Sequence, residues 1–147
     1  MQEGGKSKGG IEPVRRINSR GSCAPHLAIR FDSHLFSIDT SRAPKACTQP
    51  DAYLITHAHS DHYGKSAMNS PRAVASVQTA RALEIRYDRE YMGRTFQVGE
   101  SIMVGEVRVD THPTGHTIGS SAFSWQTECG ERVLVTGDVK DYRQLPR

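Results

Sequence analysis

The 147-residue sequence predicts an α/β fold in which two packed sheets are flanked by helices. Short apolar runs bounded by turn residues open the chain, βα units occupy its middle, and antiparallel hairpin patterns close it. That order suits a sandwich and argues against a single all-parallel sheet. A chain of this length is expected to form one domain with a real core.

The elements are expected as follows. Residues 1–13 read as a basic, disordered leader and residues 14–147 as the folded domain, because the first ten residues are rich in Gly, Lys and Ser. Strand-like runs follow at 14–17, 26–31 and 35–38, the last two joined by the turn pair Asp32-Ser33 into a hairpin that ends at Asp39. Residues 40–50 hold two prolines and few large apolar side chains, which is loop chemistry. Residues 51–56 are nearly all apolar in the middle, as in a central strand. A short helix is expected over 62–68, stopped by Asn69-Ser70-Pro71, then a strand at 72–75. From Ser76, a candidate N-cap, Val77, Ala80, Leu83, Glu84 and Tyr87 recur at helical spacing. Strands are expected at 101–104, 106–111, 122–127 and 133–135, with turns at Gly105 and across Glu128-Cys129-Gly130-Glu131.

Composition narrows the class of protein. The chain is 36% hydrophobic and 24% charged, as in an ordinary soluble domain. It has no apolar run long enough to cross a bilayer and no charged-then-apolar leader, so no membrane partner is expected and the cytoplasm is the expected location. Cys23, Cys47 and Cys129 are odd in number, far apart and never spaced as Cys-x-x-Cys. That pattern argues against a disulfide framework and a thiolate zinc knuckle, and reduced, buried or half-buried thiols are expected. Residues 1–20 carry five basic and two acidic groups, which accounts for the net charge of +3. That leader suits either contact with a phosphate backbone or a solvated tail.

The chemistry is concentrated in Thr56-His57-Ala58-His59-Ser60-Asp61-His62-Tyr63-Gly64, directly behind the apolar run Ala52-Tyr53-Leu54-Ile55. Ligands at alternate positions leaving a strand point the same way, so His57 and His59 suit one cation. Asp61 and His62 sit at the turn toward a helix and suit a second. Imidazole with carboxylate favours zinc, with iron or manganese as alternatives. Further along, His112-Pro113-Thr114-Gly115-His116-Thr117-Ile118-Gly119-Ser120 reads as a strand end, a glycine-bearing loop and a new strand. His116 is the favoured third imidazole there, and His112 reads as a loop residue or an outer support. Val135-Thr136-Gly137-Asp138 delivers a carboxylate to a sheet edge, where Asp138 has oxygens enough to bridge two cations. Asp39, at the end of an earlier strand, suits an acceptor for the free N–H of a ligand histidine.

These stretches resemble the successive motifs of the metallo-β-lactamase superfamily. His57-x-His59-x-Asp61-His62, Gly115-His116 and Gly137-Asp138 follow its order, and Asp39 matches the acidic residue that precedes them. With Thr56, Thr117-Ile118-Gly119-Ser120 and Val139-Lys140 included, the pattern is similar to the β-CASP nuclease branch: mRNA 3′-end cleavage factors, their archaeal relatives and ligase-associated DNA exonucleases. Antibiotic-hydrolysing members usually lack a histidine where His62 stands. The resemblance spans about residues 14–142.

It implies an αββα sandwich with two Zn2+. His57, His59 and His116 would hold one, Asp61 and His62 the other, and Asp138 would bridge them. Two cations about 3.5–4 Å apart acidify a shared water and clamp the attacking and leaving oxygens. The implied reaction is hydroxide attack on phosphorus in RNA or single-stranded DNA, with Asp61 and Asp138 as the catalytic carboxylates. The family has a later histidine ligand and, in this branch, an inserted substrate-binding domain. This chain stops nine residues after Asp138 without either. The resemblance therefore covers the N-terminal part of the fold, as in an amino-terminal fragment, a split protein whose partner chain supplies the C-terminal half, or a degenerate copy. An exposed edge or apolar face is expected for another polypeptide to cover.

RNA 3′-end processing is the leading expectation from that resemblance. A DNA exonuclease, a small-substrate metallohydrolase acting on a thioester or lactone, and a non-catalytic module needing a partner are the alternatives. Tyr63, Lys65, Lys140 and Arg143 are either phosphate contacts or solvated surface residues, and no stretch of the sequence identifies a nucleic-acid-binding platform.

Overall fold

A computed structural model describes residues 10–14, 27–39, 50–58, 67–138, 143, 145 and 146. Their strands form two sheets. The first is mixed and has the order β1-β2-β3-β4-β5-β6; the second is antiparallel, in the order β10-β9-β8-β7.

Strand β1 (Ile11–Val14) pairs antiparallel with β2 (Leu27–Phe31), which turns through Asp32 and Ser33 into β3 (His34–Ile38). Residues 11–13 thus belong to the sheet and not to the leader. Pro13 lies on an edge strand, where its missing N–H interrupts no interior ladder. Residues 15–17, expected as the body of that strand, lie outside the described residues, as do 1–9 of the leader, 40–49 of the expected loop and 62–66 of the expected helix.

From β3 onward the first sheet is parallel. Strand β4 (Ala52–Leu54) pairs with β3 and with β5 (Ala73–Ser76), and β5 pairs with β6 (Arg94–Phe96). Central position explains the apolar run: Ala52 and Leu54 point into the space between the sheets, and Tyr53 and Ile55 point to the opposite face. That opposite face is covered by α1 (Val77–Tyr87), whose Leu83 packs with Tyr53, Ile55, Met68 and Ala75. Ser76 is its N-cap, the side-chain oxygen accepting from Thr79 N at 3.0 Å.

The second sheet is built from β7 (Ser101–Val104), β8 (Val107–Pro113), β9 (Ser121–Gln126) and β10 (Arg132–Val135). Strand β8 runs two residues beyond its expected end, so His112 is a strand residue and not a loop residue. The core between the sheets is aromatic. Phe31, Phe36 and Trp125 meet with ring centroids 5.0–5.3 Å apart, and Phe96 meets Phe123 edge-on at 5.7 Å. Each such ring contributes roughly 1.5–3 kcal/mol through burial. Cys129, expected to be buried or half-buried, is exposed, because it lies in the tight β9–β10 turn. Cys23 and Cys47 lie outside the described residues. No helix among the described residues is long and apolar enough to cross a membrane.

Candidate metal centre

The ends of strands from both sheets converge at one rim of the sandwich. Strand β3 ends at Asp39, the segment after β4 carries Thr56 and His57, the β8–β9 loop carries His116, and the segment after β10 carries Gly137 and Asp138. Asp138 Oδ2 lies 3.6 Å from His57 Nε2 and 3.4 Å from His116 Nε2. One ligating atom from each of the three residues falls within 4.8 Å of the others, and no second such trio occurs among the described residues.

These separations suit a small cation. Ligands about 2.0–2.1 Å from a tetrahedral zinc are separated from one another by roughly 3.3 Å. The two imidazole rings meet edge-on at 88°, with centroids 5.1 Å apart. Their side chains are 10% and 27% exposed, whereas Asp138 is 55% exposed and forms the open side. Two nitrogens and a carboxylate oxygen are the donor set of zinc or iron. The residues present fit a divalent cation.

Local structure explains how each residue is held. Asp39 adopts φ 50°, a left-handed conformation that Asp tolerates, and its N–H bonds to Leu54 O at 2.8 Å. Its carboxylate accepts from Thr56 N at 2.7 Å and from the Thr56 hydroxyl at 2.5 Å. Thr56 Oγ1 in turn lies 2.7 Å from His57 Nδ1. Asp39 is thereby linked to His57 through Thr56.

The loop bearing His116 is pinned at both ends. Gly119 O accepts from Ser76 Oγ at 2.7 Å and from Thr79 Oγ1 at 3.1 Å, tying the loop to the start of α1. Gly119 has φ +85°, and a Cβ there would lie 2.6 Å from Gln78 Cβ, so no other residue fits without displacement. Ser121 N then donates to Thr56 O at 2.8 Å, joining the two sheets beside the candidate ligands.

Of the residues expected at the site, His57, His116 and Asp138 come together with Asp39 behind them. His59, Asp61 and His62 lie outside the described residues, as do Tyr63, Lys65 and Lys140, whereas Arg143 is exposed. His112 stands apart from the trio, with Nε2 2.8 Å from Ser124 Oγ. Thr56 received no role from sequence. Its place immediately before the first ligand histidine, at the end of an apolar strand, was the available signal. A cleft of about 520 Å3 at the opposite end of the sandwich is lined by Asp32, His34, Trp125 and Arg132, remote from these groups.

No family model matches the chain. It is 29% identical over 91 residues to UPF0173 protein PF0020 of Pyrococcus furiosus, covering 60% of this chain and 43% of that protein. The chain thus spans less than half the length of that curated relative. In structure it is similar to a B3 metallo-β-lactamase with an active-site glutamic acid, with TM-score 0.55 and 20% identity over 94% of this chain and 69% of that one. It is also similar to CmlA, a diiron β-hydroxylase of Streptomyces venezuelae, with TM-score 0.55 and 15% identity over 90% of this chain and 30% of that one. The architecture is a mixed α/β sandwich of metallo-β-lactamase type.

Proposed function

We propose that this chain carries the metal-binding part of a metal-dependent hydrolase, and that the substrate is a phosphodiester of RNA. The observation that carries the hydrolase reading is the convergence of His57 Nε2, His116 Nε2 and Asp138 Oδ2 at the sandwich rim. The phosphodiester rests on the motif pattern around Thr56-His57, Gly115-His116 and Gly137-Asp138, which resembles RNA-processing nucleases. A divalent cation bound there supplies Lewis acidity and a water acidified toward neutrality.

The chain's own residues supply the rest. His57 and His116 offer neutral imidazole nitrogens, and Asp138 offers a carboxylate whose second oxygen retains lone pairs. The exposure of Asp138 leaves the approach on that side open to substrate. Thr56 donates to Asp39 and accepts at its carbonyl oxygen from Ser121 N at the start of β9, and these bonds keep the donors in place. Binding of a second Zn2+ by Asp61 and His62, together with a role for His59, is part of the proposal carried by the motif alone.

Elemental analysis of protein purified without added metal comes first, followed by cleavage of single-stranded RNA and DNA of matched sequence. At least one metal per chain and RNA cleavage lost to a chelator are expected. Absence of bound metal at micromolar zinc would sink the hydrolase reading. Cleavage of DNA alone would move the assignment to a DNA exonuclease, and metal binding without turnover would indicate a module that needs a partner chain. A small acyl substrate is the second reading, favoured by Ile118, an 86% exposed apolar side chain two residues from His116. Turnover of a thioester without nuclease activity would select it.

A further inference from the structure

We propose that Thr56 is the positioning residue of this centre: it fixes His57 with its proton on Nδ1 and so turns the Nε2 lone pair toward the cation. The proposal rests on the metal-centre reading above and concerns a residue that touches all three ligand-bearing segments.

The proton placement follows from donor and acceptor counts. Asp39 presents a carboxylate, which only accepts. Its Oδ1 takes the Thr56 N–H at 2.7 Å and its Oδ2 takes the Thr56 hydroxyl proton at 2.5 Å. A hydroxyl has one proton, so Thr56 Oγ1 has only lone pairs to offer at its other contact, 2.7 Å from His57 Nδ1. That contact is a hydrogen bond only when Nδ1 carries the hydrogen. A neutral imidazole protonated at Nδ1 has its lone pair at Nε2, the atom that lies 3.6 Å from Asp138 Oδ2.

Thr56 also sets the positions of the other two ligands. Its carbonyl oxygen accepts from Ser121 N at 2.8 Å, which anchors the loop leaving His116. Its side chain packs against Gly137, where a Cβ would lie 2.6 Å from Oγ1 and 3.0 Å from Cγ2. Gly137 has φ +60°, so the chain turns tightly over the threonine and delivers Asp138. Burial at 1% exposure and a β-branched side chain restrict Thr56 to a narrow range of χ1. Hydroxyl, methyl and carbonyl thus face three different segments at once.

The test uses the whole chain with labelled histidine. Long-range proton–nitrogen correlation of the metal-free protein reads which ring nitrogen of His57 is protonated, and cobalt or zinc titration reads affinity. The wild type is expected to carry the proton on Nδ1. Thr56→Val should release that preference and weaken metal binding by about 10–100-fold, as for other supports behind a ligand. Thr56→Ser should restore both readouts.

Asp39→Asn provides a second route should the valine variant not fold. Its carbonyl oxygen stays on the Thr56 N–H, its amide donates to the hydroxyl, and the hydroxyl proton then turns to Nδ1. The ring proton should move to Nε2. A wild-type ring protonated at Nε2 would overturn the proposal, as would a valine or asparagine variant with unchanged tautomer and affinity. If the tautomer is as proposed and no cation binds, the hydrolase reading falls while the tautomer assignment stands.

Discussion

Among the described residues, two polar arrays of the same chemical kind can be compared, and one of them converges on the candidate ligands. At the rim, Asp39, Thr56 and His57 form a chain of hydrogen bonds whose far end, His57 Nε2, faces His116 and Asp138. On the face of the second sheet turned away from the core, Ser101, Arg108, Asp110, His112 and Ser124 pair among themselves. Asp110 accepts from Ser101 Oγ at 2.5 Å and from Arg108 Nε at 3.2 Å, and His112 Nε2 meets Ser124 Oγ at 2.8 Å. His112 and His116 are four residues apart, yet one completes a local pair and the other joins side chains from both sheets. Residue type is shared between the arrays; what differs is whether the donors and acceptors are consumed by neighbours along the ladder or directed to a common point.

The sharpest way to break this comparison is to remove a histidine from each array. His116→Ala should weaken zinc binding by more than the roughly 10–100-fold typical of outer supports, whereas His112→Ala should leave affinity unchanged. Isothermal titration of both variants checks this, and equal losses would erase the distinction. Next in size is Gly137→Ala, in which a Cβ meets Thr56 at a left-handed backbone position. It should lower stability by about 1–2 kcal/mol from backbone conformation alone and weaken metal binding as well, read by denaturant melts and titration.

Smaller again is Ser124→Ala. Loss of one hydrogen bond to His112 should lower stability by about 0.5–1.5 kcal/mol with no change in metal affinity, and a measurable affinity change would tie the two arrays together. The smallest effect expected is on pH dependence. Burial holds the His112 imidazole below its ordinary value of 6.5, with Asp110 opposing the shift and Arg132 adding to it. The unfolded chain then takes up the proton first as pH falls through about 6.5, so the stability linked to His112 is present above that pH and declines below it. His112→Gln should flatten the slope of melting temperature between about pH 7.5 and 5.5 relative to wild type. An identical slope would show that His112 does not contribute.

Much of the sandwich was legible in the sequence because burial writes a period into it. Ala52-Tyr53-Leu54-Ile55 announced a strand buried on both faces, and Ser76 with Val77, Ala80 and Leu83 announced a capped helix. The boundaries were less legible. The start of β1 at Ile11 depends on pairing with β2, a long-range contact that a proline-bearing, polar segment does not advertise. The extension of β8 through His112 and Pro113 likewise depends on β9 lying alongside. At the site, the spacing of His57, His116 and Asp138 marked them as candidates, since side chains able to ligate are recognisable by type. Thr56 stood in the motif, but its role was hidden, because a threonine at a strand end is ordinary until its neighbours are known.

By itself the sequence determined local preferences: most of the runs that favour strand, though not β6, where α1 begins, and which side chains have lone pairs suited to a cation. Those properties reside in single residues and in short-range periodicity. Only the tertiary structure decided that Asp39, Thr56, His116 and Asp138 share one rim, that Asp39 is linked to His57 through Thr56, and that His112 pairs with Ser124. The physical reason is that a hydrogen bond or a ligand set joins atoms whose separation is fixed by sheet pairing and packing, over sequence distances on which local preference has no hold.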